Sequence, residues 1–174
     1  LLMVQTIFRP ARVHVVCPGC GLSRHDTDAV HCKHCGRLMR IETEALASGG
    51  KLHVLIGNHE SMNLVGDLRY VSKSEYLAFA GDETAAEREK WFAAYAARQG
   101  GTADNEVLKK RFDEQYPPGY FGLRRAFAPQ GRYGKWLLSK PVIVVINGTA
   151  FVHGGVSPLV DEIGLDGING VLKG

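Results

Sequence analysis

The sequence contains no apolar stretch that approaches the roughly 20 residues of a membrane-spanning helix. Its formal net charge of +3 is too small to indicate a nucleic acid or a membrane surface as a partner. Its first residues lack the basic flank and long apolar centre of a secretory signal, so we expect a cytoplasmic protein. With 45% apolar and 22% charged residues, the 174-residue chain is typical of one globular domain, alone or with a small module.

Cysteine is scarce, and the four cysteines are arranged as two Cys-x-x-Cys pairs, each followed by glycine. This spacing indicates a structural zinc ion held by four thiolates, in a small zinc-ribbon-like module at residues 12–37. Close pairing also favours a metal site in a reducing compartment over disulfides. Four free or redox-active cysteines remain the alternative. The predicted zinc ligands are Cys17, Cys20, Cys32 and Cys35. Three histidines are alternative ligands: His25, His31 and His34.

Two apolar runs, 52–56 and 142–146, lead into loops that carry polar side chains able to bind metal. The first run ends in Gly-Asn-His-Glu, which contains Asn58 and His59, and the segment after the second ends in His153-Gly-Gly. Asparagine can bind a divalent ion through its side-chain oxygen, and a neighbouring histidine can protonate a leaving alkoxide. Since ligands of open α/β sheets bind beyond the carboxyl ends of strands, these loops predict a metal-dependent hydrolase.

Each of these residues also has a purely structural interpretation. Asn58 could be a simple N-cap where a strand turns into a helix. His153 could be a structural histidine, although its combination with the Asn58-His59 loop favours a ligand. His53 alternates into the strand interior and is interpreted as a packing residue.

Residues 61–139 are predicted to be mostly helical and to separate two strands of one sheet. Ser72 and Glu75 have capping-box spacing, which predicts a helix that continues through Phe79. Further helices are expected at 38–47, 83–99 and 104–115. The dipeptide Asn147-Gly148 predicts a tight turn that pairs 142–146 with 149–152 as a hairpin. The fold class is therefore α/β.

Five motifs together resemble one family of enzymes. They read GNHE at 57–60, MNLVGDLRYV at 62–71, PPGYF at 117–121, RYGKWL at 132–137 and FVHGGVSP at 151–158. Over about 38–173 the chain resembles calcineurin-like metallophosphoesterases of the phosphoprotein phosphatase type, in particular bacterial Shewanella-like phosphatases. Residues 38–174 would then form a partial metallophosphoesterase α/β sandwich.

The resemblance implies a two-metal centre of Mn, Fe or Zn and a phosphorylated substrate, including a phosphoprotein. It makes Asn58 and His153 ligands of one ion and His59 the general acid. The reaction implied is hydrolysis of phosphate monoesters by metal-activated water.

The chain also departs from the family pattern. The Gly-Asp-x-His and Gly-Asp-x-x-Asp-Arg-Gly motifs and the last histidine ligand are absent from these 174 residues. Two neutral ligands without a bridging carboxylate hold a divalent ion poorly, so little or no phosphatase activity is expected from this polypeptide alone. A natural fusion, a fragment of a longer protein and a frameshifted gene model all remain open. The alternative function is a non-catalytic, zinc-stabilised binding module with a remnant phosphatase scaffold.

Overall fold

Helices predominate in the computed structural model, which describes residues 3–6, 37–100 and 105–171. The helices are α1 (Arg37–Ala47), α2 (Asn58–Val65), α3 (Lys73–Ala78), α4 (Ala85–Arg98), α5 (Asn105–Gln115), α6 (Tyr120–Phe127), α7 (Arg132–Leu138) and α8 (Leu159–Gly170). The strands are β1 (Met3–Thr6), β2 (Leu52–Leu55), β3 (Ile143–Ile146) and β4 (Thr149–Val152). This mixture agrees with the predicted α/β class.

The predicted zinc-ribbon-like module lies outside the described residues, apart from its last residue, which begins α1. Its four cysteines therefore stay a prediction. In the part of the chain that the structure describes, no helix combines the length and apolar character needed to cross a membrane.

The strands form two separate antiparallel pairs, β1 with β2 and β3 with β4. The predicted hairpin is confirmed: Asn147 and Gly148 have φ angles of 51° and 76°, as a type I′ turn requires. The prediction that the two apolar runs share one sheet is wrong. Beyond the end of β2, the Ile56 N–H donates to the Pro141 carbonyl at 3.1 Å. At the start of β3, two backbone N–H groups donate to Asn169 Oδ1 at 2.9 and 3.1 Å, so they do not join a ladder with β2.

The described chain divides into two compact units. The first contains residues 3–6, 37–68 and 127–171, and the second contains 69–100 and 105–126. In the first unit β2 is buried, with Leu52, Val54 and Leu55 only 2–3% exposed. This confirms that the first apolar run is a core strand, and it fixes the position of the loop that follows it.

A partly buried ion pair joins α1 to the segment after α7 in the first unit. Lys140 Nζ lies 2.6 Å from Glu42 Oε2, and Trp136 Nε1 donates to the same oxygen at 2.9 Å. Burial alone would raise the pKa of Glu42, but the hydrogen bonds from Lys140 and Trp136 outweigh it, so the pKa is lowered. A lowered carboxyl pKa stabilises the fold above the unfolded value of about 4.3, and this stability is lost as the pH falls through the folded value.

Replacing Glu42 with glutamine is therefore expected to make the free energy of unfolding depend less on pH in the acidic range. We expect Glu42→Gln to cost about 1 kcal/mol at pH 7, because the pair is partly exposed, and to cost little at pH 3. Urea unfolding at pH 7, 5 and 3 measures the difference. Glu44→Gln is the control, since Glu44 lies on the same helix in an exposed pair with Arg40. An equal loss at pH 7 and pH 3 would contradict the assignment.

The second unit is helical, and two of its helices begin at side-chain caps, of which the sequence predicted the one at Ser72. Ser72 Oγ accepts from the Glu75 N–H at 3.3 Å while the Glu75 carboxylate accepts from the Ser72 N–H, which confirms the capping box. Thr84 caps α4 in the same way through the Glu87 N–H at 3.1 Å. Between α3 and α4 lies a short 3-10 turn, Ala80–Asp82.

The core of the second unit is aromatic. Phe92 and Phe112 pack edge to face with centroids 5.5 Å apart, beside the buried Leu108. Tyr95, Tyr116 and Phe121 surround this cluster and are only partly buried. The unit is therefore held by α4 and α5 packing together, with α6 against them.

One polar cluster crosses this core. The Glu83 side chain is 3% exposed and accepts from Arg88 Nη1 at 3.0 Å and from the N–H groups of Phe121 and Gly122 at 2.5 and 3.2 Å. Arg88 Nη2 donates to Asp113 Oδ1 at 2.9 Å and to a backbone carbonyl at 2.8 Å. The cluster joins the start of α4 to α5 and to the beginning of α6.

Candidate functional site

The turn from β2 into α2 is held by its own residues. Gly57 is the N-cap of α2, and its N–H donates to Glu60 Oε2 at 3.0 Å. Ser61 Oγ donates to the Gly57 carbonyl at 3.0 Å. Asn58 is the first residue of the helix rather than its cap, so the N-cap interpretation of Asn58 is wrong. The Asn58 side chain is exposed and is not needed to close the turn.

That side chain instead contacts the other predicted ligand. Asn58 Oδ1 lies 3.0 Å from His153 Nε2, although the two residues are 95 positions apart in the chain. Because an amide oxygen can only accept, we assign the proton of this contact to Nε2. His153 follows β4 directly and is partly buried. The structure thus brings together the ends of the two predicted loops.

Gly57 makes room for this contact. A Cβ at that position would lie 2.7 Å from Glu60 Oε2 and 2.9 Å from His153 Nδ1, closer than side-chain atoms approach. The carboxylate of Glu60, which is 1% exposed, therefore lies beside the imidazole of His153. The sequence interpretation assigned no role to Glu60 and missed this one. The sequence did indicate a contact between Gly57 and Glu60, because the two have the three-residue spacing of a capping box.

His59 is the second residue of α2 and is partly buried. Its neighbour Asn58 makes the contact with His153, and His59 lies on the same first turn of α2 as Asn58. Its role as the general acid stays a prediction. His53, interpreted as a packing residue, is partly buried on β2, where burial and then the charge of Lys51 lower its pKa.

The two donor atoms fit one side of a metal site. Two ligand atoms that each lie about 2.1 Å from an ion, at roughly a right angle, are about 3 Å apart. The Asn58–His153 separation of 3.0 Å matches that spacing. Both donors are neutral, however, and the described residues contain no group of three or more His, Cys, Asp or Glu side chains that could hold a metal ion. They therefore fit part of a metal centre, not a complete one.

Substituting Gly57 tests whether the loop shape holds the donors together. Gly57→Ala is expected to break the Asn58–His153 contact, because the new methyl group would overlap His153 and Glu60. Both overlapping atoms belong to side chains that can move, so the loss of stability should be modest, about 1–2 kcal/mol. The NMR signals of the His153 ring and thermal unfolding measure the two effects.

Gly154→Ala is the matched control, since Gly154 adjoins His153 and a Cβ there would meet nothing within 4 Å. Unchanged His153 ring signals in Gly57→Ala would show that Gly57 does not shape the site.

Comparison with known proteins gives relatives named as phosphatases. Over 144 residues, or 79% of the chain, it is 30% identical to Shewanella-like protein phosphatase 2 of Arabidopsis thaliana. Over 132 residues, or 76% of the chain, it is 24% identical to Shewanella-like protein phosphatase 1 of Plasmodium berghei (strain Anka). No protein-family profile and no solved structure matches.

These likenesses support a phosphatase family for the chain, in agreement with the motif resemblance. The aligned part of the chain spans 36% and 27% of the lengths of these two relatives. The activity of a whole enzyme therefore does not follow from them.

Proposed function

We propose that this chain carries part of the active site of a metal-dependent phosphoesterase of the phosphoprotein phosphatase type. The reaction would be hydrolysis of phosphate monoesters, with a phosphorylated substrate such as a phosphoprotein. The 3.0 Å contact between Asn58 Oδ1 and His153 Nε2 carries the proposal. These two metal-binding atoms are far apart in the sequence but share one hydrogen, and a bound cation would take the place of that hydrogen.

Each site residue has a distinct part in this proposal. Asn58 would present its amide oxygen to one ion of a pair of Mn, Fe or Zn ions, and His153 would present its Nε2 to the same ion after losing the proton of the present contact. His59, on the same helical turn as Asn58, would hold the proton that the leaving alkoxide takes up. Bound ions would supply charge stabilisation on the phosphoryl oxygens and a lowered pKa of a bound water.

We propose further that the 174-residue polypeptide has little or no activity by itself. The ligands assigned to the catalytic centre are an amide and an imidazole, the nearby Glu60 carboxylate accepts from the Gly57 N–H, and the described residues contain no group of three or more His, Cys, Asp or Glu side chains that could hold an ion. Metal ions held by two neutral ligands dissociate readily, since carboxylates supply much of the charge in such centres.

The same observation favours a second candidate function. If the two neutral donors found among the described residues hold no ion, the chain could serve as a binding module stabilised by the zinc of the predicted Cys17, Cys20, Cys32 and Cys35 site. The two candidates differ in metal content. The binding module requires one tightly held zinc, while the phosphoesterase requires additional ions at Asn58 and His153.

Titration of the purified chain with Mn²⁺ tests the metal site. We expect weak, saturable paramagnetic broadening of the His153 ring signals, with a dissociation constant of about 1 mM or weaker. Asn58→Ala should weaken this broadening, and His53→Ala, a substitution on β2 outside the contact, should leave it unchanged. The same samples are assayed with p-nitrophenyl phosphate, where we expect hydrolysis close to the rate in buffer.

The outcomes separate the parts of the proposal. Robust Mn²⁺-dependent hydrolysis that His59→Ala abolishes would contradict the predicted loss of activity and support the catalytic assignment. Absence of broadening at His153 up to 10-fold above the expected dissociation constant, with one zinc per chain, would favour the binding module.

A further inference from the structure

The second unit contains a half-open aromatic cavity of about 270 Å³. One wall is a single stripe of α4, formed by Trp91, Ala94, Tyr95 and Arg98. These positions follow the i, i+3, i+4, i+7 spacing of one helix face. The other walls come from α5 and α6 and the segment between them.

The walls of the cavity are rigid rings. Trp91 stacks on Phe121 with centroids 5.3 Å apart and ring planes within 5° of parallel. Tyr116 packs against Phe121 at 5.7 Å and against Tyr120 at 5.0 Å. A cavity of roughly 150 Å³ is enough to hold benzene, so this one has room for a phenyl or indole group.

The charge at the cavity has one sign. Arg98, in the last turn of α4, and Arg124, on α6, are its charged lining residues, and none of the described residues that line it is acidic. The nearby Asp113 is held by Arg88 and Lys109 at 2.9 and 2.6 Å. An apolar space bordered by two guanidinium groups suits an apolar group next to a negative charge.

From this geometry we propose that the cavity binds an acidic peptide segment through one bulky apolar side chain. The apolar side chain would fill the space between Trp91 and Tyr120, and a flanking carboxylate would pair with the exposed Arg98. A peptide fits better than a small molecule, because Trp91 is 46% exposed and small-molecule sites enclose most of their ligand. This site lies wholly within the second unit and does not rest on the proposed phosphoesterase function.

Isothermal titration with blocked hexapeptides tests the proposal on the full chain. The probe is Glu-Glu-Phe-Leu-Glu-Glu, compared with Lys-Lys-Phe-Leu-Lys-Lys and with Glu-Glu-Ala-Ala-Glu-Glu. We expect saturable binding of the probe below about 1 mM, with each comparison peptide at least about tenfold weaker. Equal binding of the lysine peptide would overturn the acidic part of the proposal, and equal binding of the alanine peptide would overturn the apolar part. No saturation by the probe below 1 mM would overturn the whole proposal.

Matched substitutions on two helices locate the binding. Ala94→Trp fills the cavity and should weaken binding at least about tenfold, while Ala97→Trp, exposed on the same helix outside the lining, should not. Arg98→Glu should weaken binding at least about fivefold, and Arg111→Glu, exposed on α5, should change it less than twofold. Circular dichroism checks that each variant is folded. Equal effects of Ala94→Trp and Ala97→Trp would place any binding elsewhere on the chain.

Discussion

Replacing Gly119 with alanine is expected to unfold much of the second unit at moderate denaturant concentrations. Gly119 has a φ of +93°, and a Cβ there would lie 1.6 Å from the Tyr76 carbonyl oxygen and 2.5 Å from its carbon. These are backbone atoms near the end of α3, so no rotamer change relieves the overlap. The unfavourable φ costs about 1 kcal/mol and the forced separation adds more, so we expect a loss of at least about 3 kcal/mol.

Trp91 reports on the unit that contains Gly119. The chain has two tryptophans, so urea unfolding in a Trp136→Phe background follows Trp91 alone. Gly100→Ala is the matched control, because Gly100 has a φ of +79° but nothing lies within 4 Å of a Cβ there. The control should lose only about 1 kcal/mol, the cost of the backbone conformation. If both variants lose the same free energy of unfolding, a side chain at position 119 does not overlap the Tyr76 backbone.

Removing Arg88 is expected to cost about 3 kcal/mol, because it leaves the Glu83 carboxylate buried without its counter-ion. Arg88 also lies over the Phe112 ring at 5.4 Å, so its loss removes packing as well as charge. Arg88→Lys should recover only part of the loss. One ammonium group cannot reproduce the planar fork that reaches Glu83, Asp113 and two carbonyls.

A double-mutant cycle with Arg88→Ala and Glu83→Gln measures the coupling between the two side chains. We expect a coupling free energy of about 2 kcal/mol by urea unfolding. The exposed pair of Arg40 and Glu44, 60% and 61% accessible, should give less than about 0.5 kcal/mol in the same kind of cycle. Similar coupling in both pairs would mean that burial does not strengthen the Glu83–Arg88 pair.

The sequence predicted those elements whose signals are local. The Ser72 capping box, the Asn147-Gly148 turn and the helix predicted at 104–115 all appear within a residue or two of their expected positions. The pairing of Asn58 with His153 was expected because both follow apolar runs at strand ends. The structure places the two side chains in contact at 3.0 Å, while their function as metal ligands stays a prediction.

Features that depend on distant partners were not predictable. Nothing in residues 3–6 indicates that β1 is the partner of β2, because strand pairing depends on tertiary context rather than on composition. Glu83 and Arg88 each read as ordinary surface charges, and only the packing of α6 against α4 buries them together. The same holds for the proximity of Glu60 and His153 beside Gly57, which lie far apart in the sequence.

The 95-residue separation between the two donor residues has a consequence for the order of folding. Closing a flexible loop of that length costs about 4 kcal/mol of chain entropy, which a single contact does not offset. The second unit lies inside this loop, and its bonds from Arg88 to Asp113 and from Arg125 to Glu87 span only 25 and 38 residues. Contacts of shorter span form sooner, and ordering the intervening helices shortens the flexible chain that remains. We therefore expect the contact of Asn58 with His153 to form late in folding, after the helices between them have packed.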